Sequence, residues 1–395
     1  MTKSLRDCSQ VSPPTFAFLI CYVTLAGCAQ HSEEPEDSIL RGLKVKNGNL
    51  VEALRYISTD IELDPEGNVT KGDLGRKWIT DEGLAHLASL DHLEELDLRG
   101  GFRRNGLTDA GLAHIGVLVR LKKLHLDACD VTDAGLAHLK NLVNLETLSL
   151  TETLITDAGL EHFVGMKNLR SLQLSGTELR GSGLKHLRNL KNLKSLYMVE
   201  TTTTAADLIP LRSLNQIECL FISNQFHQKR DFGDESLAHL QGLTNLRQLR
   251  LSGSAISDEG IKYLSGLVNL ESLSLDCPEV TDKGVEHLRR LTKLRTLCLL
   301  DTKLSDAGLQ HLSGMTEMRE LDLRATKIKG SGISYLGSMH HLEDLALGNT
   351  KVSDRALSDL EKLTSLKHLH LSFTEVTREG ADRLRDVLPE CEVVR

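Results

Sequence analysis

Leucine recurs along this chain on two superposed spacings. The short one is L-x-x-L-x-L, starting at Leu93, Leu121, Leu145, Leu169, Leu193, Leu246, Leu270, Leu294, Leu342 and Leu366, with Ile217 and Met318 opening two further copies. The long one is the interval between copies. It is 24 residues in most cases, but 28 from Leu93 to Leu121 and 29 from Ile217 to Leu246. Apolar residues at positions four and six alternate with polar ones, the period of a strand with one buried face. Each copy is followed by a second apolar group at helical spacing, as in Leu136, Leu139 and Leu142, introduced by Thr132-Asp133. Hydroxyl and carboxylate side chains satisfy the orphan N–H groups of a helix start, and Asp also suits the positive end of the helix dipole. Each unit therefore predicts a short strand, a turn and a short helix. Neither piece can bury its apolar side alone, so the units must stack, one strand per unit, into a parallel sheet.

The ends break this pattern in ways that define domains. Degenerate copies at 69–74 (VTKGDL) and 388–393 (LPECEV) set the limits of the array. Residues 69–376 read as repeats, with an amino-terminal cap at 47–68 and a carboxy-terminal cap at 377–395. In the first cap, NLVEALRYI (49–57) has the spacing of an amphipathic helix. IELDPEGNVTKGDL (61–74) reads as a hairpin turning at Asp64 to Asn68. In the second, the helix REGADRLRDVL and the strand CEVV would close the core, as repeat arrays require. Upstream, 28–46 is acidic, polar and Pro-bearing in its first part and reads as a solvated tether. Residues 1–27 carry Lys3 and Arg6 and then the apolar run FAFLICYVTLAGC, Phe16 to Cys28, too short to span a bilayer comfortably.

Two resemblances follow from these residues. LAGC, Leu25 to Cys28, resembles the lipobox of bacterial lipoproteins, which implies cleavage before Cys28 and a lipid on its sulfur. Ala29 is not the Asp that resembles an inner-membrane retention signal, so outer-membrane sorting is expected where the cell has an outer membrane. The unit LxxLxLxxTx[IVL][TS]DxGLxxLxxL is the leucine-rich-repeat signature, and it resembles the TDxGL branch also found in F-box adaptors. No F-box segment is visible. The resemblance implies an α/β right-handed solenoid, a horseshoe with a parallel sheet on the concave face and short helices on the convex one. Its ninth position is Thr at 153, 177, 302, 326, 350 and 374 and Cys at 129, an inward-turning side chain that can bond to backbone.

Composition and charge narrow the function. Aromatic residues are 4% of the chain and the formal net charge is −8, against a general nucleic-acid surface, which needs a basic balance. None of the eight cysteines stands in a CxxC pair. His86, His114, His138, His162, His186, His239, His287 and His311 share one slot of the unit. One imidazole per coil cannot supply the three or four ligands zinc needs, so these read as half-buried flank residues. No nucleophile has a base and an orienting acid, and no glycine-rich loop carries a P-loop Lys-Ser/Thr. The expectation is a monomer that is not an enzyme, without metal or cofactor.

Three features remain as candidate contacts. The second strand position is always charged, and nine of its eleven neighbouring pairs have opposite sign; this predicts a lateral ion-pair ladder, or an ordinary solvated edge. The third and fifth positions face the concave surface, where Tyr197, Phe221 and Arg250 fall at the fifth position of three successive strands. The insertion beside them contributes Phe226 and His227, and the earlier insertion contributes Phe102, Arg103 and Arg104. Aromatic residues and Arg dominate protein interfaces, and an unnamed protein is the expected partner. Stacking by Tyr197 or Phe221 suits glycan or peptidoglycan as the alternative. Three units depart from the consensus. RGSGL (180–184) and KGSGI (329–333) lose the Asp, and TTTTAADLIPL (201–211) loses Asp and Gly and gains Pro210.

Overall fold

The computed structural model describes residues 37–100, 106–223, 232–252 and 255–395. Its strands are β1 (Ile61–Leu63), β2 (Val69–Asp73), β3 (Glu95–Asp97), β4 (Lys123–His125), β5 (Thr147–Ser149), β6 (Ser171–Gln173), β7 (Ser195–Val199) and β8 (Cys219–Ser223). They continue as β9 (Gln248–Ser252), β10 (Ser272–Asp276), β11 (Thr296–Cys298), β12 (Glu320–Asp322), β13 (Asp344–Ala346), β14 (His368–His370) and β15 (Glu392–Val394). They form one open sheet in strict chain order. Only β1–β2 is antiparallel among the described strands; the rest run parallel. The result is the expected leucine-rich-repeat solenoid, with the sheet on one side and short helical segments on the other. The longer intervals leave the register intact, Leu96 facing Leu124 and Leu220 facing Leu249. The extra residues are therefore absorbed outside the sheet.

Leucines at positions one, four and six build one continuous core; Leu121, Leu124 and Leu126 are wholly buried. The inward Thr is buried too. Thr153, Thr177 and Thr350 each donate at 2.6 Å to the carbonyl three residues back, and the Cys129 thiol donates to the Leu98 carbonyl at 3.4 Å. The residue before it takes a left-handed φ in most coils, from Ala128 to Phe373. The convex segments mix α-helix, as at Asp133–Leu139, with 3₁₀ turns, as at Asp157–Phe163. A 24-residue period leaves space for only one or two turns, a length at which 3₁₀ geometry is common.

Both ends of the array carry elements of their own. α2 (Leu50–Ile57) begins on Asn49, whose side chain accepts from the Glu52 N–H. The hairpin is β1–β2, and β2 is also the first parallel strand of the solenoid. The expected tether, however, stops short of residue 46. Residues 38–45 form α1 (Ser38–Val45), and Ile39 is fully buried. Asp37 caps α1 by accepting from the Ile39 and Leu40 N–H groups. Ile39, in the core, and Leu43, packed against it, supply the face that docks.

Asp37 also starts a column of aspartates that links most coils to the next. Where the following coil has Thr or Ser in the cap slot, the Asp grips it with both oxygens; Asp157 and Asp306 hold the next coil through Gly181 and Ser182 and through the Lys329, Gly330 and Gly332 N–H groups. Asp109 accepts the Thr132 N–H at 2.7 Å and its hydroxyl at 2.6 Å. Asp258 does the same to Thr281, both at 2.7 Å. The glycine of TDxGL serves this grip. Gly135 is not among the residues with left-handed φ, so backbone freedom is not why it is there. A Cβ there would instead lie inside 3.0 Å of the Asp109 carboxylate and of Leu112 Cδ1. Ten junctions obey the pairing of Asp with the next coil's Gly, from Asp37–Gly83 to Asp354–Gly380. At the three junctions where the Asp is missing, as Gly181, Ala205 and Gly330, the next Gly is also missing, as Asp207, Ser236 and Ala356. Presence and absence match throughout: at eight of the ten junctions a Cβ would fall on the Asp carboxylate, and at Gly183 and Gly332 it would fall on the backbone of Asp157 and Asp306.

Candidate binding surface on the concave face

The parallel register puts Gln173, Tyr197, Phe221, Arg250 and Ser274 side by side across β6 to β10. Leu196, Leu220 and Leu249 are buried beneath their strands, which fixes the alternating residues on the open face. The Tyr197 and Phe221 rings meet edge to face, centroids 5.0 Å apart and planes at 85°. This geometry places a positive ring edge on a negative ring face. Cys219, buried below, donates its thiol to the Tyr197 hydroxyl at 3.5 Å. All three of Tyr197, Phe221 and Arg250 are half-buried. Phe102, Arg103, Arg104, Phe226 and His227 lie outside the described residues, as does Cys28.

Several charges elsewhere on the concave face pair with one another. A cavity of about 220 Å³ near the amino-terminal end is lined by Asp60, Lys71, Glu95, Arg99 and Lys123 among others. Lys71 pairs with Asp60 at 2.9 Å and Glu62 at 3.1 Å, and these hydrogen bonds hold its pKa above the ordinary value. Lys123 pairs with Glu95 at 2.8 Å. Near the other end Arg324 pairs with Asp322 at 2.6 Å, and His368 Nδ1 with Asp344 at 2.5 Å. Burial, reinforced by Asp344 and Glu343, pushes the Glu320 carboxyl above its usual range. The predicted ladder forms at six neighbouring steps, among them Lys122–Glu94 and Lys194–Glu218 at 2.6 Å and Arg319–Glu343 at 2.7 Å.

The histidine column lies one per coil. His114, His162, His186, His239 and His311 are half-buried as expected, whereas His86, His138 and His287 are exposed. Among the described residues no three His, Cys, Asp or Glu side chains are arranged to hold a metal. Burial, helped by Arg212, pushes His239 below its ordinary pKa. The irregular coil lies directly behind the aromatic pair. Lacking an Asp at 181, it is held by Asp207, whose carboxylate accepts the N–H of Thr204 at 2.9 Å and its hydroxyl at 2.6 Å.

Sequence reasoning missed one exposed aromatic. Phe373 is 89% exposed and has a left-handed φ of 60°. It stands on the loop after β14, in the slot that holds Ala128, Asp301 and Asn349 elsewhere. The available signal was an aromatic in a slot otherwise small or polar.

Comparison with known proteins agrees with this architecture. The family model for a leucine-rich repeat region matches residues 79–332, and a second leucine-rich-repeat model matches 362–384. No curated protein matches the chain. Among solved structures, it is similar to an internalin (inlF) from Listeria monocytogenes at 22% identity and a TM-score of 0.64, over 91% of this chain and 94% of that one. It is also similar to the Leptospira interrogans LRR protein LIC12759, at 18% identity and a TM-score of 0.51, over 88% and 98% of the two chains. At these identities the likeness is one of fold.

Proposed function

The chain belongs to the leucine-rich repeat family, and from that premise we propose a non-catalytic protein-binding scaffold of a bacterial cell envelope. Proteins of this family are generally binding scaffolds, and no enzymatic family matches. The observation that carries the reading is the row Tyr197, Phe221, Arg250, set in register on the parallel sheet. Two aromatics and an Arg side by side, in a chain with 4% aromatic residues, are the composition of an interface centre. The envelope assignment rests on LAGC at Leu25–Cys28 and its resemblance to a lipobox. In this reading a lipid on Cys28 holds a monomeric solenoid at the membrane, the outer membrane where one exists. Phe102, Arg103, Arg104, Phe226 and His227 are further candidate contacts on sequence grounds.

Affinity capture with the full chain, beside a Tyr197→Ala/Phe221→Ala/Arg250→Ala variant, tests the surface. The expected result is a partner retained by the first and lost by the second. Equal capture by both removes the patch, and binding to purified glycans but to no protein replaces the partner class. Mass spectrometry of the mature amino terminus tests the anchor, and an unmodified Cys28 refutes it.

A further inference from the structure

From β5 to β11 the third and fifth strand positions carry hydroxyl, amide, thiol and aromatic side chains, and Arg250 is their single charge. Lysines at the corresponding positions, Lys71 and Lys123, are each held by a carboxylate. Among the described residues Arg250 has no such partner. A half-buried guanidinium has given up hydration, and without an anion nothing repays the loss. Its planar fork matches a carboxylate in two parallel hydrogen bonds. Beside it, the Tyr197–Phe221 pair offers an apolar platform. Gln173 and Ser274, next in register on either side, can bond to a peptide main chain.

Resting on the binding role above, we propose that the concave face takes an extended peptide segment of one chemistry: a large apolar side chain two residues from an aspartate or glutamate. The spacing follows from the sheet. Strands lie about 4.8 Å apart, so the centre of the aromatic pair is about 7 Å from the Arg250 strand. Side chains on one side of an extended peptide repeat every second residue, also about 7 Å. The apolar side chain rests on Tyr197 and Phe221, and the carboxylate meets Arg250. A neutral sugar would leave the guanidinium unpaired, which favours the acidic peptide over a glycan.

The test is selection of linear peptides from a random phage-displayed library on the purified full chain. The expected winners share an apolar residue and an acidic one at i and i+2, in either order. For the best synthetic peptide, Arg250→Gln should weaken binding at least about tenfold, the effect of losing a charge-assisted pair. Selection on Arg250→Glu should exchange the acidic residue for Lys or Arg, a swap that a merely structural Arg would not produce. Circular dichroism verifies that each variant is folded. Winners without an acid, indifferent to Arg250→Gln yet lost with Tyr197→Ala/Phe221→Ala, overturn this inference and leave the concave-face role standing. Winners indifferent to all three residues overturn both. No enrichment at all overturns the inference of a contiguous peptide ligand.

Discussion

Replacing Gly135 by alanine tests why the repeat carries glycine at that slot. The new Cβ would lie inside 3.0 Å of Asp109 Oδ1 and Leu112 Cδ1, so the carboxylate must move. Moving it weakens two hydrogen bonds to Thr132, now 2.7 and 2.6 Å. Bonds to a charged group are worth about 1.5–3 kcal/mol each, and overpacking adds about 1–3 kcal/mol. Against this, alanine gains about 1 kcal/mol of helix propensity over glycine. With partial relaxation the balance is a loss of about 2–4 kcal/mol. Urea unfolding measures it, and hydrogen exchange at the Thr132 and Gly135 amides localises it to one junction. In an Asp109→Ala background the carboxylate contact is gone and Leu112 Cδ1, the end of a side chain, is the close contact that remains, so the two losses should fall short of additivity by about 1–3 kcal/mol. The slot at Ala356, which faces Gly330, gives the opposite sign: Ala356→Gly should lose about 0.5–1 kcal/mol for backbone entropy alone. A neutral or stabilising Gly135→Ala, or additivity with Asp109→Ala, would refute the competition between carboxylate and Cβ.

Other expectations rest on single residues. Hydrogen bonds from Asn68, aided by His92, hold Asp64 at a pKa of about 2, below its ordinary 3.8; the stability it lends the hairpin is complete above about pH 4 and disappears as pH falls through about 2. A carboxyl-carbon NMR titration reads this directly, and Asn68→Ala should return the midpoint toward 3.8. Burial pushes the Cys298 thiol above its ordinary value, so its alkylation rate should rise only at a pH above that of a free thiol, and a midpoint at or below the ordinary value contradicts this. Phe373→Gly should raise stability by up to about 1 kcal/mol, since it relieves a left-handed backbone without uncovering core; a measured loss would mean the ring packs. Amide exchange should be faster at 201–211 than in the coils held by an intact Asp–Gly pair, and equal protection would remove the distinction.

The solenoid was legible because each physical constraint is repeated a dozen times. Position four is always apolar, and one copy with an odd residue cannot hide the period. The row Tyr197, Phe221, Arg250 was legible for the same reason, since counting from each repeat start gives the register even across the 29-residue interval. What stayed hidden depends on contacts between coils. Asp109 and Gly135 are 26 residues apart, beyond the reach of any local motif, and each has an adequate local explanation as cap or turn. The left-handed slot of Phe373 is likewise invisible until the chain is folded, because its other occupants are ordinary polar and small residues. α1 was read as tether because the acidic residues before it dominate the composition, while its docking needs only Ile39 and a few neighbours.

The departures from the Asp–Gly rule are not scattered. Two of the three are consecutive, at Gly181 to Asp207 and at Ala205 to Ser236, and they join the coils that carry β6, β7 and β8. There the carboxylate is supplied by Asp207 to Thr204 of its own coil, so it no longer ties one coil to the next. Ser236 likewise turns to its own coil, its hydroxyl accepting the Gly233 N–H at 3.3 Å. Among the described residues Thr203 Oγ1 and His239 Nδ1, buried in the same region, have no hydrogen-bond partner. In an array whose stability is a sum of coil and junction terms, two weakened junctions in a row make the local spacing of coils easier to change. The strands in front of them bear Tyr197 and Phe221.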